Sequence, residues 1–141
     1  MVAARRNHLV ETIWPALDRG DWVVCDRFAD STLAYQGYGR GLPQAALSSL
    51  HSLIAPDFKP DLTFILDLPV DVGLSRAAQR VGGATRFERM GHDFHERLRR
   101  GFQEIARAEP QRCVLIDAAP EIAKVQHAIR AAIHARLGVA I

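Results

Sequence analysis

Asp26 and Arg27 stand side by side where the apolar run Trp22-Val23-Val24-Cys25 ends, and Phe28 and a polar stretch with Ser31 and Thr32 follow them. A carboxylate beside a guanidinium at a strand end can handle a metal-bound phosphate and grip a second phosphoryl group. A structural ion pair would use the same two residues, and the dipeptide alone leaves both readings open. Asp67 closes a second apolar run, 62–66, and Asp117 a third, 113–116. Ligands of open α/β sheets bind beyond the carboxyl ends of the strands, so Asp26, Arg27 and Asp67 occupy positions where chemistry is expected. Arg76, Arg80, Arg97, Arg99 and Arg100 fall on helical patterns, where a solvated face is the default; that default is preferred for the last three. His8, His51, His92, His95, His127 and His134 share no metal-ligand spacing and are read as surface or packing residues.

These groups need elements to hold them. Short apolar runs alternate with helical periodicity, which points to an α/β fold with a parallel sheet. Leu9, Ile13 and Leu17 mark a helix over 3–19, kinked by Pro15 and stopped by Gly20. Strands are expected at 22–25, 62–66 and 113–116, running parallel and ending on Asp26, Asp67 and Asp117. A polar, glycine-rich loop and a helix opened by Pro43 separate the first two strands. Helices over 70–81 and 93–108 separate the second and third, and a last helix covers 120–137. Gly82-Gly83-Ala84-Thr85, between two arginine-rich helical patterns, reads as a lid loop. Three strands make a small sheet. The helix over 3–19 has no strand to cross over from, so Met1 reads as an internal methionine.

At 141 residues, 48% hydrophobic and 24% charged, the chain has the composition of one globular domain. A net charge of +2 gives no reason to expect a nucleic-acid or membrane partner. Sixteen of the eighteen basic residues are arginine, a bias that suits bidentate phosphate binding and that high-GC codon usage would also produce. Cys25 and Cys113 lie inside apolar runs and read as buried thiols of a reducing, cytoplasmic protein. No stretch approaches the roughly 18 apolar residues of a membrane span.

The run Asp26-Arg27-Phe28-Ala29-Asp30-Ser31-Thr32-Leu33-Ala34-Tyr35-Gln36-Gly37-Tyr38-Gly39-Arg40-Gly41 closely resembles the Asp-Arg-aromatic and Ala-Tyr-Gln-Gly-x-Gly-Arg-Gly signature of bacterial thymidylate kinases. Ala3-Ala4-Arg5 with His8, the Leu66-Asp67-Leu68-Pro69 and Gly73-Leu74-Ser75-Arg76 segments, and Arg86-Phe87-Glu88 with Phe94, Arg97 and Phe102 extend the resemblance over essentially the whole chain. Thr85 and Phe102 depart from it, standing where an acidic residue and a tyrosine are usual. The resemblance implies a parallel-sheet, three-layer nucleoside monophosphate kinase fold over residues 1–141, with a lid at about 76–92. It implies transfer of the γ-phosphate of ATP to dTMP, Mg²⁺ travelling with ATP, and a homodimer. Arg5 would reach the thymine carbonyl, with Ser31, Thr32 and Gln36 around base and sugar, and Arg27 would clamp the acceptor phosphate. Tyr35 would lie where a 2′-hydroxyl would clash, and Asp26 would help position the metal shell. Arg76, Arg80 and Arg86, with Glu88, would belong to the lid that closes on ATP.

No G-x-x-x-x-G-K-[ST] occurs in the sequence; Lys59 precedes a proline and Lys124 falls in a helical pattern. That loop supplies the backbone cradle, the lysine and the Mg²⁺-binding hydroxyl. The chain is therefore expected to be a thymidylate kinase without its N-terminal strand, phosphate loop and helix. A coupled assay is expected to find no conversion of dTMP to dTDP above background. A non-catalytic deoxynucleotide-binding protein and a related deoxynucleoside kinase are the alternatives.

Overall fold

In the computed structural model, which describes residues 2–79 and 90–140, Pro15 decides how the first helix is built. Proline offers no N–H, and its ring crowds the carbonyl four residues back. Helix α1 (Val2–His8) accordingly widens into a π turn, Leu9–Ile13, in which the Trp14 N–H reaches the Leu9 carbonyl, before resuming as α2 (Trp14–Asp18). The expected kink thus takes the form of an inserted residue. Leu9 and Ile13 are buried, but the wider turn rotates Leu17 off their stripe and leaves it 40% exposed. Gly20, at φ 81°, ends the helix as expected. Its N–H binds the Leu17 carbonyl at 2.9 Å and the Asp21 N–H binds that of Ala16 at 3.0 Å, the paired bonds of a left-handed helix stop.

The chain divides into two compact units, Met1–Lys59 and Pro60–Ile141. In the first, Leu9, Ile13 and Ala55 form the core, and Trp14, Val23, Phe28, Ile54 and Phe58 pack against it. The strand expected at 22–25 is not one. The segment is extended, but a strand exists only through a partner's backbone groups, and among the described residues it has no ladder. Val23 turns into the core, whereas Trp22 is 69% and Val24 97% exposed. Cys25, expected to be buried, is exposed for the same reason; Cys113 is buried.

The loop expected after Arg27 is also corrected. Residues 29–39 are helical: α3 (Ala29–Thr32) runs into a π segment, Leu33–Gly39. Gly37 lies buried inside this helix, where a β-carbon would stand in van der Waals contact, 3.4 Å, with the Gln44 and Leu47 side chains. Of the glycines at 37, 39 and 41, Gly41 alone takes positive φ, and its N–H closes on the Gly37 carbonyl at 2.7 Å. Helix α4 (Gln44–Ile54) follows Pro43 as expected.

The second unit holds a two-stranded parallel sheet. β1 (Thr63–Asp67) and β2 (Cys113–Asp117) pair with Asp67 opposite Asp117, so both acids end their strands together. Arg112 fastens the start of this ladder. Its guanidinium forks onto Glu109 and also donates to the Thr63 hydroxyl. Between the strands lie α5 (Val70–Ala78) and α6 (His92–Ala108). Phe94, Leu98, Gly101 and Ile105 give α6 one buried stripe, and each large apolar side chain so buried contributes about 1.5–3 kcal/mol. α7 (Ile122–Leu137) follows β2 and stops at Gly138, at φ 68°. Among the described residues no helix is long and apolar enough to cross a membrane.

Candidate functional site

Arg27 is, with Asp57, one of two non-glycine residues among those described in the first unit whose backbone takes positive φ. Its φ is 67°, in the left-handed region, which costs a residue with a β-carbon about 1–2 kcal/mol. The chain must turn there from the extended 21–25 segment into α3, and the turn leaves the Arg27 side chain exposed with its guanidinium carbon 5.2 Å from the centre of the Tyr35 ring. Strain kept at an exposed arginine points to a use for that arginine rather than to packing. Asp26, beside it, is exposed, and among the described residues its carboxylate holds no hydrogen bond or ion pair.

α1 brings a second arginine to the same unit. Arg5 donates through Nη2 to the Thr32 hydroxyl at 2.6 Å and to the Phe28 carbonyl at 3.3 Å, and its guanidinium lies 5.3 Å from the Phe28 ring centre. Burial holds the Arg5 pKa below the ordinary guanidinium value, against the opposing pull of Cys25 and Asp30. Asp30 is buried, and its charge compensates Arg5. Sequence reasoning passed over Asp30, although an acid in the first turn of a helix is a favourable placement that could have marked it. Nε and Nη1 of Arg5 hold no hydrogen bond among the described residues. Ser31 and Gln36 are half-buried on the same helical stretch, and their side chains hold no hydrogen bond among the described residues.

At the carboxyl ends of β1 and β2 the second unit opens a cleft of about 500 Å³ lined by Asp67, Pro69, Arg99, Leu115, Asp117 and Ala119. Arg99, expected on a solvated face, instead grips Asp67 with two hydrogen bonds of 2.8 Å, and Gln103 adds its amide to both oxygens at 3.2 Å. The Asp67 carboxyl is held below its usual range, chiefly by Arg99. Arg76 donates to the Ala118 and Ala119 carbonyls at 2.8 and 2.7 Å, tying α5 to the turn after β2. Arg80, Arg86 and Glu88, with most of the expected lid, lie outside the described residues.

Each unit thus presents charged and polar groups on its own frame: Asp26, Arg27, Arg5 and Thr32 on the first, Asp67, Arg99 and Arg76 on the second. A parallel sheet joined through helices, with acids closing its strands, defines an α/β protein of the kind that binds ligands at strand ends. The thymidylate kinase family model matches residues 1–129, and the chain belongs to that family. It is 53% identical over 139 residues to the thymidylate kinase of Caulobacter vibrioides, covering 99% of this chain and 66% of that protein. It is likewise 53% identical over 129 residues to that of Pseudomonas fluorescens strain SBW25, covering 92% and 61%. The crystal structure of thymidylate kinase from Ehrlichia chaffeensis superposes with a TM-score of 0.68 at 34% identity, over 93% of this chain and 59% of that one. The chain thus spans about three fifths to two thirds of the length of the relatives named here.

Proposed function

We propose that this chain carries the acceptor-nucleotide site of a thymidylate kinase, which moves the γ-phosphoryl group of ATP onto dTMP to give dTDP. The observation that carries the reading is the pairing, inside one unit, of a strained and exposed Arg27 with an Arg5 fixed by Thr32 and Phe28. Arg27 holds the 5′-phosphate; Arg5 meets the thymine carbonyl through its free N–H groups; Ser31, Thr32 and Gln36 border base and sugar; and Tyr35 lies beneath the deoxyribose. An acceptor gripped at both ends presents one phosphate oxygen in line with the donor, and positioning of that kind accounts for most of the catalysis of phosphoryl transfer.

On the donor side, Arg76, Arg80 and Arg86, with Glu88, form the lid. Arg76 exchanges its two neutral carbonyl partners for phosphate oxygens, which a guanidinium binds more strongly. Mg²⁺, when bound with ATP, would supply neutralising charge on the phosphates. The uncommitted Asp26 carboxylate fits it, because protein sites for Mg²⁺ commonly offer one or two carboxylates and leave the remaining positions to water and substrate. The whole is read as one cytoplasmic nucleotide kinase domain of three layers over residues 1–141, with a lid around 76–92, working as a homodimer.

Calorimetric titration of the chain with dTMP and with thymidine tests the acceptor site. Arg5→Ala is expected to weaken both by about tenfold, the weight of one hydrogen bond from a charged donor. Absence of dTMP binding, or an Arg5→Ala variant that binds both as tightly as before, would overturn the reading.

A further inference from the structure

His51, on α4, has a feature that packing alone does not call for. Its Nε2 lies 3.3 Å from the Phe58 carbonyl and so carries the proton that it donates there, which leaves Nδ1 as an acceptor. Nδ1 is buried and has no partner among the described residues. A buried polar atom left unmatched is costly, and an apolar side chain of similar shape would avoid that cost. The ring stands 5.9 Å from that of Phe28 at an interplanar angle of 89°. Phe58, whose carbonyl His51 binds, meets the same Phe28 ring at 6.0 Å and 75°. The Arg5 guanidinium lies 5.3 Å from the centre of the same Phe28 ring and also bonds the Phe28 carbonyl.

We propose that His51 is a positioning residue for the base end of the acceptor site. Through Nε2 it fixes Phe58, through its ring it fixes Phe28, and the fixed Phe28 sets the angle at which Arg5 faces the nucleobase. The imidazole suits this task because it is both a donor to the Phe58 carbonyl and a flat ring against Phe28; leucine is neither, glutamine only the first and phenylalanine only the second.

The inference rests on Arg5 as the base contact, and its test separates the two. Thymidine, which lacks the phosphate, is titrated into the chain and its variants, with thermal melting followed alongside. His51→Leu is expected to weaken thymidine by about five- to tenfold, and dTMP by the same factor, as a coupled neighbour does. His51→Phe, which restores a ring, is expected to recover most of the loss. In an Arg5→Ala background His51→Leu is expected to have no further effect on thymidine, because its action passes through Arg5. Equal losses in both backgrounds, or unchanged thymidine affinity in folded His51→Leu, overturn the proposal. Should His51→Leu not fold, His51→Gln carries the same test, since it keeps the donor and removes the ring; unchanged affinity there overturns the proposal too. If the unsubstituted chain binds no thymidine, the base-site reading fails first and this inference with it.

Discussion

Arg27→Ala is expected to lower the affinity of the chain for dTMP by roughly ten- to a hundredfold and to leave thymidine within about twofold, since a hydrogen bond to a charged group contributes about 1.5–3 kcal/mol. The two ligands differ only in the phosphate, so the contrast isolates the group that Arg27 is proposed to hold. Alanine does not relieve the backbone, because φ of 67° is as uncomfortable for it as for arginine. Glycine does. Arg27→Gly is therefore expected to lose dTMP to the same degree while gaining about 1 kcal/mol of stability in a thermal melt. Strain that disappears together with phosphate binding is the signature of a residue kept for function. Tyr35→Ala should give a different pattern. The phosphate clamp stays, and the preference for dTMP over its ribo counterpart falls if the ring excludes the 2′-hydroxyl. Both nucleotides weakening by one factor, with their ratio unmoved, would show that Tyr35 acts only as the surface on which Arg27 rests, 5.2 Å from the ring centre. An Arg27→Ala variant that weakens thymidine as much as dTMP would remove Arg27 from the phosphate.

The sequence made these residues visible because their signal is local. Asp26-Arg27 and the glycine-rich run behind them lie within one short segment, and the family resemblance follows from residue order alone. The two strands that form, β1 and β2, were legible for the same reason, as continuous apolar runs closed by aspartate. Where the reading failed, something distant decided. Residues 22–25 have the apolar run of a strand, but strand formation depends on a partner backbone that composition does not reveal. Gly37 and Gly39 read as loop residues; both are buried inside a helix, in a packing environment that no pattern within the run records. Arg99 reads as solvent-facing because a helical period shows which residues share a face and not what that face meets. Its partner Asp67 lies 32 positions earlier in the chain. His51 reads only as a surface or packing residue, and Asp30 is passed over, since a histidine or an acid becomes informative only once its neighbours are known.

Arg99 also sets the largest expected effect on stability. Its fork holds Asp67 at 2.8 Å through both nitrogens, with the side chains only 31% and 18% exposed. Arg99→Ala leaves the carboxylate largely out of water with the Gln103 amide as its remaining side-chain donor among the described residues, and the expected cost is about 2 kcal/mol, below that of a fully buried pair because some solvent reaches both groups. Arg99→Lys keeps the charge and loses the fork, so it should fall between the two. The pH dependence has a definite sign. The folded Asp67 pKa is depressed, so its stabilising contribution is complete above the unfolded value near about 3.9 and disappears as pH falls through the lower folded value. Denaturant melts of the unsubstituted chain and of Arg99→Ala should accordingly differ most at neutral pH and converge below about pH 4. A gap that is the same at pH 7 and pH 3 would mean that the ion pair carries no stabilisation and that Arg99 contributes only its aliphatic stem. Because Asp67 ends β1 and lines the cleft at the strand ends while Arg99 stands on α6, the loss should also loosen α6 from that cleft. Faster amide exchange confined to α6 and the end of β1 would be its local mark.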